Sequence, residues 1–371
     1  MYAVSAPSLS PAPSPAPARS PAPAFLGRGR LARWGAALAA LLALAGYLTL
    51  QYLIGGGGAP RCRVVADHGG TSYEFTPEQA ENAATISAVG TSRGLPERAV
   101  TIALATALQE SGLHNIGHGD RDSLGLFQQR PSQGWGTRRQ IMDPAYAAGA
   151  FYDHLVRVPG YARLPLTVAA QRVQRSGFPR AYAKHEPDAR LLATALTGHS
   201  AATLTCEGRP APTPAGGPDA VRAALVRDFG RQVLPAAGTE VGPGTEAGSG
   251  VGVRASVTAA PSAGDRGDAG GGDGGGTRAS VTVPVPRGAP AEGRTRRTGW
   301  ELAHWAVAHS SALHIARVSY AGLEWSRGGG AGEWRTVERP RPGAGAGEDG
   351  KNRGAGREAA GTDVVRIATG D

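Results

Sequence analysis

The chain has 371 residues, 39 Lys+Arg against 30 Asp+Glu for a formal net charge of +9, and 56 glycines, 28 prolines and two cysteines. That length allows two domains, but glycine and proline crowd towards the two ends and limit an ordered core to the middle plus a small C-terminal part. Only Lys184 and Lys351 are lysines, the arginine is spread along the chain, and no basic helix with interleaved aromatics appears, so nucleic-acid binding is not expected.

Residues 1–24 are almost wholly Pro, Ala and Ser, a composition that cannot bury enough apolar area to offset ordering, and residues 1–33 are expected to form a disordered cytoplasmic tail. Arg28, Arg30 and Arg33 precede an uncharged run from Trp34 to Ile54, long enough to cross ~30 Å of hydrocarbon as a helix. A transmembrane helix over 34–54 is therefore predicted, with the N-terminus cytoplasmic and the rest outside the membrane. A cleaved signal peptide is the alternative, but its apolar region is normally shorter. Residues 55–74 then read as a tether.

Cys62 and Cys206 bracket the next region. Outside the cytoplasm their default is a disulfide, with two free thiols as the alternative. His114 and His118 stand four apart in a loop with no third ligand in view, so neither metal nor cofactor is expected.

Thr76 as N-cap, Pro77, Glu78 and Gln79 open a helix whose small face runs Ala80, Ala83, Ala84, Ile86, Ser87, Val89. Pro96–Glu97 opens a second, with Val100, Leu104, Ala107, Leu108 and Ser111 at helical spacing and Gly112 as the stop. Glu110 sits in its last turn. There the negative end of the helix dipole, worth ~0.3–1 kcal/mol, and partial burial both favour the protonated carboxyl. Those features suit a general acid; the ordinary alternative is a solvated helix-end glutamate.

Ser123 to Gln129 (SLGLFQQ) alternates like a strand with a glycine inside, between Asp120-Arg121-Asp122 and Arg130-Pro131. Asp120 and Asp122 suit turn chemistry; Asp122 is also a candidate second carboxylate. Trp135 follows in a loop, either a platform for a sugar ring or a lid on the core. Asp143-Pro144 caps a helix to Val158, and Pro165–Arg175 and Pro187–Gly198 read as two more. Five helices around a small hairpin make an α+β domain over 75–207. Residues 208–298 read as a Gly/Pro/Ala-rich linker with one helix at Asp219–Leu234. Val253–Thr258 and Thr277–Thr282 nearly repeat there, as two strand pieces or a duplicated linker. A helix at Trp300–Leu313 and strands at Val318–Trp325, Glu333–Val337 and Asp363–Ala368 suggest a small separate α+β module over 299–371, of unassigned partner. His304, His309 and His314 read as surface or packing residues.

The ordered pair of a helix-end Glu110-Ser111 and Gly125-Leu126-x-Gln128 on a hairpin resembles the core of lytic transglycosylases and goose-type lysozymes, over about residues 75–198. The resemblance implies a mostly helical lysozyme-like fold with Glu110 as catalytic acid. It also implies a glycan groove lined by Gln128, with Ser111 and Leu126 as further motif positions and Trp135 a candidate beside them. The family's A-Y-N motif is absent: the corresponding helix, Val168–Gln174, has no tyrosine, and Tyr182 stands nearby instead. The implied function is cleavage of peptidoglycan glycan strands by a membrane-anchored bacterial enzyme. The alternative is a non-catalytic glycan-binding or envelope-assembly protein that keeps the groove.

Overall fold

The computed structural model describes residues 28–54, 59–67, 69–175, 180–234, 280–285, 292–327, 332–337 and 364–370. Among them are nine α-helices and eight strands in two small sheets, an α+β fold. Residues 1–27 of the expected N-terminal tail and the Val253–Thr258 strand piece lie outside these residues, whereas residues 28–33, expected as disordered tail, are helical. The chain divides into two units, 1–58 and 59–371. The first holds α1 (Arg28–Ile54), with Leu38, Leu41, Leu42 and Leu44 exposed. Among the described residues no helix is long and apolar enough to cross a membrane, and several of α1's side chains lie outside that description.

The second unit begins earlier than expected. Part of the supposed tether forms β1 (Arg61–Val65) and, with Phe75, β2 (Ser72–Phe75), antiparallel to each other. The alternation of β1, with Cys62 and Val64 buried and Arg61 and Arg63 exposed, is what a half-buried strand requires. The Thr76 capping box closes as the sequence predicts: the Thr76 hydroxyl accepts from the Gln79 N–H at 3.2 Å, and the Gln79 side chain accepts from the Thr76 N–H at 2.8 Å. It starts α2 (Pro77–Ser92), followed by α3 (Glu97–Ser111). The sequence suggests one apolar face on α3, yet every residue from Ala99 to Leu108 is buried, because its alanines and threonines let neighbours approach on all sides.

Around α3 stand α5 (Pro144–Leu155), α6 (Leu166–Gln174) and α7 (Glu186–Leu196), with the short α4 (Arg138–Ile141) against α5, and then β3 (Leu204–Glu207). β3 pairs antiparallel with β1 in the order β2-β1-β3, placing Cys62 directly opposite Cys206. The two form a disulfide. Closing so long a loop is worth roughly 5 kcal/mol in the chain-entropy model.

The C-terminal residues do not form a separate module. α8 (Gly217–Phe229), β4 (Ser280–Pro284), α9 (Glu292–Ala308), β5 (Ile315–Tyr320), β6 (Leu323–Ser326), β7 (Trp334–Thr336) and β8 (Val364–Thr369) share one continuous core with the helices before them. Their sheet is antiparallel in the order β4-β8-β5-β6-β7. Asp228 at the end of α8 is the junction. Its carboxylate accepts from the Thr85 hydroxyl of α2 at 3.0 Å, Trp305 Nε1 of α9 at 2.8 Å and Arg227 Nε at 2.7 Å. Burial pushes this carboxyl upward, but His309 and Arg227 outweigh it and hold it well below the usual carboxylate range. His304 and His309 are thus packing residues, both buried; His304 donates to the Ala195 carbonyl of α7 at 2.8 Å. At the crossing of α7 and α9 only glycine fits: Gly198 has φ +71°, and a Cβ there would lie 1.9 Å from the Arg297 carbonyl oxygen.

Glu301 of α9 is buried against α2, where it accepts from the Thr91 hydroxyl. Burial pushes its carboxyl from 4.5 up to about 7, against the smaller lowering effects of Thr91 and Arg297. Between those values the native state holds a proton that the unfolded chain has released, so this group makes stability fall as pH rises from about 4.5 to 7. Glu301→Gln is expected to remove that slope, gaining at most about 3 kcal/mol over wild type at pH 8 and little at pH 4. Urea midpoints of the two proteins at both pH values check this; a parallel pH dependence would contradict it.

Candidate functional site

The end of α3 is fixed from three sides. Gly112 takes the left-handed conformation (φ 64°) that stops the helix. Gln79 Nε2 donates to the Gly112 carbonyl at 2.7 Å and Asn82 Nδ2 to the Leu113 carbonyl at 2.8 Å, so α2 holds the turn. The Ser111 hydroxyl donates to the Ala107 carbonyl at 3.1 Å and the Leu126 carbonyl at 2.8 Å, tying the helix end to the segment 123–129.

That segment is smaller than a hairpin of strands. It is a tight turn closed by one antiparallel bridge, Leu124 with Gln129, through two N–H···O bonds of 2.9 Å. Leu126 and Phe127 point into the core, and Phe127 stacks on Phe151 at 4.7 Å between ring centroids. The Phe127 carbonyl accepts from Gln174 Nε2 at 2.7 Å, which draws the end of α6 towards the turn. Gln128 projects the other way, from a backbone with φ 47°.

Between these elements lies a groove of about 810 Å³. Glu110, Gln128 and Trp135 line it together with Asp120, Ser123, Gln129, Gln133, His154 and five arginines. Glu110 is half-buried. Its Oε1 accepts from the Tyr182 hydroxyl at 2.7 Å, and Tyr182 is itself fully buried. Tyr182 stands on the short helical turn Ala181–His185 that leads into α7, so a residue 72 positions away reaches the carboxylate. Trp135 is half-buried over His154, with ring centroids 4.1 Å apart, so it both covers core and faces the groove. Burial, then Arg157, lower the His154 pKa; Asp153 opposes them, and Arg175 adds the smallest lowering effect.

Other expected positions fall elsewhere. Ser111 and Leu126 do not line the groove; they position Glu110 and the turn instead. Asp122 does not line it either. One carboxylate oxygen accepts from Arg130 Nε at 2.7 Å and the other from the Ser132 N–H at 2.8 Å, and these bonds hold its carboxyl well below the usual range. The carboxylate that faces the groove with Glu110 is Asp120. His114 pairs with Glu78 at 2.9 Å. Among the described residues no group of three or more His, Cys, Asp or Glu is placed to hold a metal ion. Sequence reasoning missed His154, Arg157, Arg172 and Arg175, which reach the groove from the ends of α5 and α6, because nothing in their spacing separates them from surface charge.

Chemically, the site presents two carboxyl groups, Asp120 and a Glu110 with an oriented hydrogen-bond donor behind it, with amides and an indole beside them and room for several sugar rings. No protein-family model matches this chain, and no curated protein matches it.

Gly125 carries the turn that presents Gln128. It has φ +72°, and a Cβ would lie 2.7 Å from the Ile141 carbonyl oxygen. Gly125→Ala is expected to cost about 2 kcal/mol, seen as a thermal midpoint lower by roughly 4–8 °C. An unchanged midpoint would contradict the tight approach.

Proposed function

We propose that this chain cleaves peptidoglycan glycan strands at the groove, in the manner of lytic transglycosylases, with Glu110 as general acid and then base. The observation that carries this reading is the hydrogen bond of 2.7 Å from the buried Tyr182 hydroxyl to Glu110 Oε1, in a groove also lined by Gln128 and Trp135. Tyr182 occupies Oε1 and so leaves Oε2 to carry the working proton. That proton passes to the glycosidic oxygen as the bond to the departing sugar breaks. The carboxylate then takes the proton of the remaining sugar's own 6-hydroxyl, whose oxygen closes on the anomeric carbon to give a 1,6-anhydro end. One carboxylate suffices for this route, whereas hydrolysis needs another group to activate water. Asp122 is committed to Arg130 and Ser132, so a hydrolytic route would run through Asp120, which lines the groove; the transglycosylase route is preferred here because it needs Glu110 alone.

The full chain incubated with peptidoglycan should release anhydro-muropeptides detectable by mass analysis. Glu110→Gln should abolish release, and Tyr182→Phe should lower the rate roughly 10- to 100-fold, matching about 1.5–3 kcal/mol for a hydrogen bond to a charged group. Release unaffected by Glu110→Gln would sink the assignment. Binding without release by the wild type would favour a non-catalytic glycan-binding role instead.

The anchor at 34–54 belongs to the same proposal, supported by its uncharged sequence and by the exposed leucines of α1. Full-length protein in a membrane fraction should resist extraction by alkaline carbonate, and a chain lacking residues 1–58 should not. Extraction of both would remove the anchor from the account.

A further inference from the structure

Tyr182 is not alone on its turn in reaching α3. Ala181–His185 winds as a 3-10 helix, in which side chains three positions apart stand one above the other. Tyr182 and His185 therefore share a face, and that face meets the last turn of α3. There Tyr182 bonds Glu110, and His185 Nε2 donates to Oε1 of Gln109, the residue just before it, at 3.2 Å. Two adjacent side chains of α3 are thus paired with two side chains of one turn.

The pairing continues into α7. Glu186 accepts from Arg98 Nη1 at 2.9 Å, and Arg98 Nη2 donates to the Leu164 carbonyl at 3.1 Å. Arg98 and Gln109 lie roughly three helical turns apart along one side of α3. Burial, then Lys184, lower the His185 pKa against an opposing effect of Asp188, so the ring is neutral at pH 7 and its one proton sits on Nε2, towards Gln109. Neither Gln109 nor His185 lines the groove. A hydrogen bond weakens steeply as its donor swings out of line, so a turn free to rock on α3 would lose the bond to Glu110.

Resting on the glycan-cleavage reading above, we infer that Gln109 and His185 are positioning residues, whose mutual bond seats the turn Ala181–His185 on α3 and so keeps the Tyr182 hydroxyl on Glu110. They act on the chemistry only through Tyr182 and Glu110.

The test reads the Tyr182 hydroxyl first and turnover second. The full chain in detergent carries tyrosine labelled with carbon-13 at Cζ, and Tyr182→Phe assigns the Tyr182 resonance. Glu110→Ala gives the position of that resonance without the carboxylate. His185→Phe keeps a ring but removes the donor, and should move the resonance most of the way to that position. His185→Gln, whose Nε2 falls where the imidazole Nε2 stands, should leave it in place. Gln109→Met removes the acceptor and should reproduce the His185→Phe shift, so the outcome does not rest on one variant folding. In turnover of a peptidoglycan tetrasaccharide, His185→Phe should lower kcat about 3- to 10-fold with KM unchanged, as expected for one ordinary hydrogen bond. In a Tyr182→Phe background the same substitution should cost less than about twofold, because the two act as one unit. A Tyr182 resonance unmoved by both His185→Phe and Gln109→Met, or an equal loss of kcat with and without the Tyr182 hydroxyl, overturns the inference. If the wild type cleaves no glycan, the reading of the groove falls, while the expected resonance shifts would still uphold the clamp and their absence would end it.

Discussion

A single hydrogen bond joins the end of α3 to the turn before α7 at the wall of the groove. Tyr182, fully buried on the turn before α7, donates to Glu110 at the last turn of α3. For the two to meet, α3 must stop at Gly112, α7 must lie alongside it, and the turn 123–129 must be tied to the helix end by the Ser111–Leu126 bond. The first is a local signal, and the other two are met by packing. α3 is enclosed by small residues along ten consecutive positions, so its end has little freedom to move. A carboxylate with one oxygen already engaged has a preferred face, and directional proton transfer needs that orientation.

The C-terminal elements extend this constraint. Asp228, buried at the end of α8, gathers donors from α2, α8 and α9, and Trp334 Nε1 donates to the Leu204 carbonyl of β3 at 3.0 Å. Breaking one partner of such a buried charge cluster costs about 3–5 kcal/mol. α2, which carries Gln79 and Asn82 to the α3 turn, is therefore buttressed on its far side by α8 and α9. The groove is thus supported by residues more than a hundred positions away. A fragment ending near residue 208 would expose Ala83, Ile86 and other buried positions of α2, so function has to be sought in the whole chain.

The sequence carried the local signals well. The Thr76 capping box, the Gly112 stop, the Asp143-Pro144 helix start and the pairing of Cys62 with Cys206 were all readable, because each rests on near-neighbour chemistry or on elimination between two cysteines. Glu110, Gln128 and Tyr182 were each singled out in the sequence, and the fold brings Glu110 and Gln128 to one groove with Tyr182 bonded to Glu110. Long-range packing was not readable. Strands β1 and β2 looked like tether because four- and five-residue strands next to a glycine run give little periodicity. The C-terminal segment looked independent because a long Gly-rich stretch precedes it, while the buried faces of Trp300 and Trp305 are the same whether they cover their own sheet or a neighbouring helix. Asp122 looked as good a carboxylate as Asp120; only the reach of Arg130 and the Ser132 N–H separates them.

The most direct measurement is a structure of the full chain carrying Glu110→Gln with a peptidoglycan tetrasaccharide bound. The account predicts the strand lying along the groove, one ring on Trp135 and a glycosidic oxygen about 2.6–3.2 Å from the residue 110 side chain, with the Tyr182 hydroxyl still on its other atom. A strand bound elsewhere, or one in the groove whose glycosidic oxygens all lie beyond reach of residue 110, would contradict it.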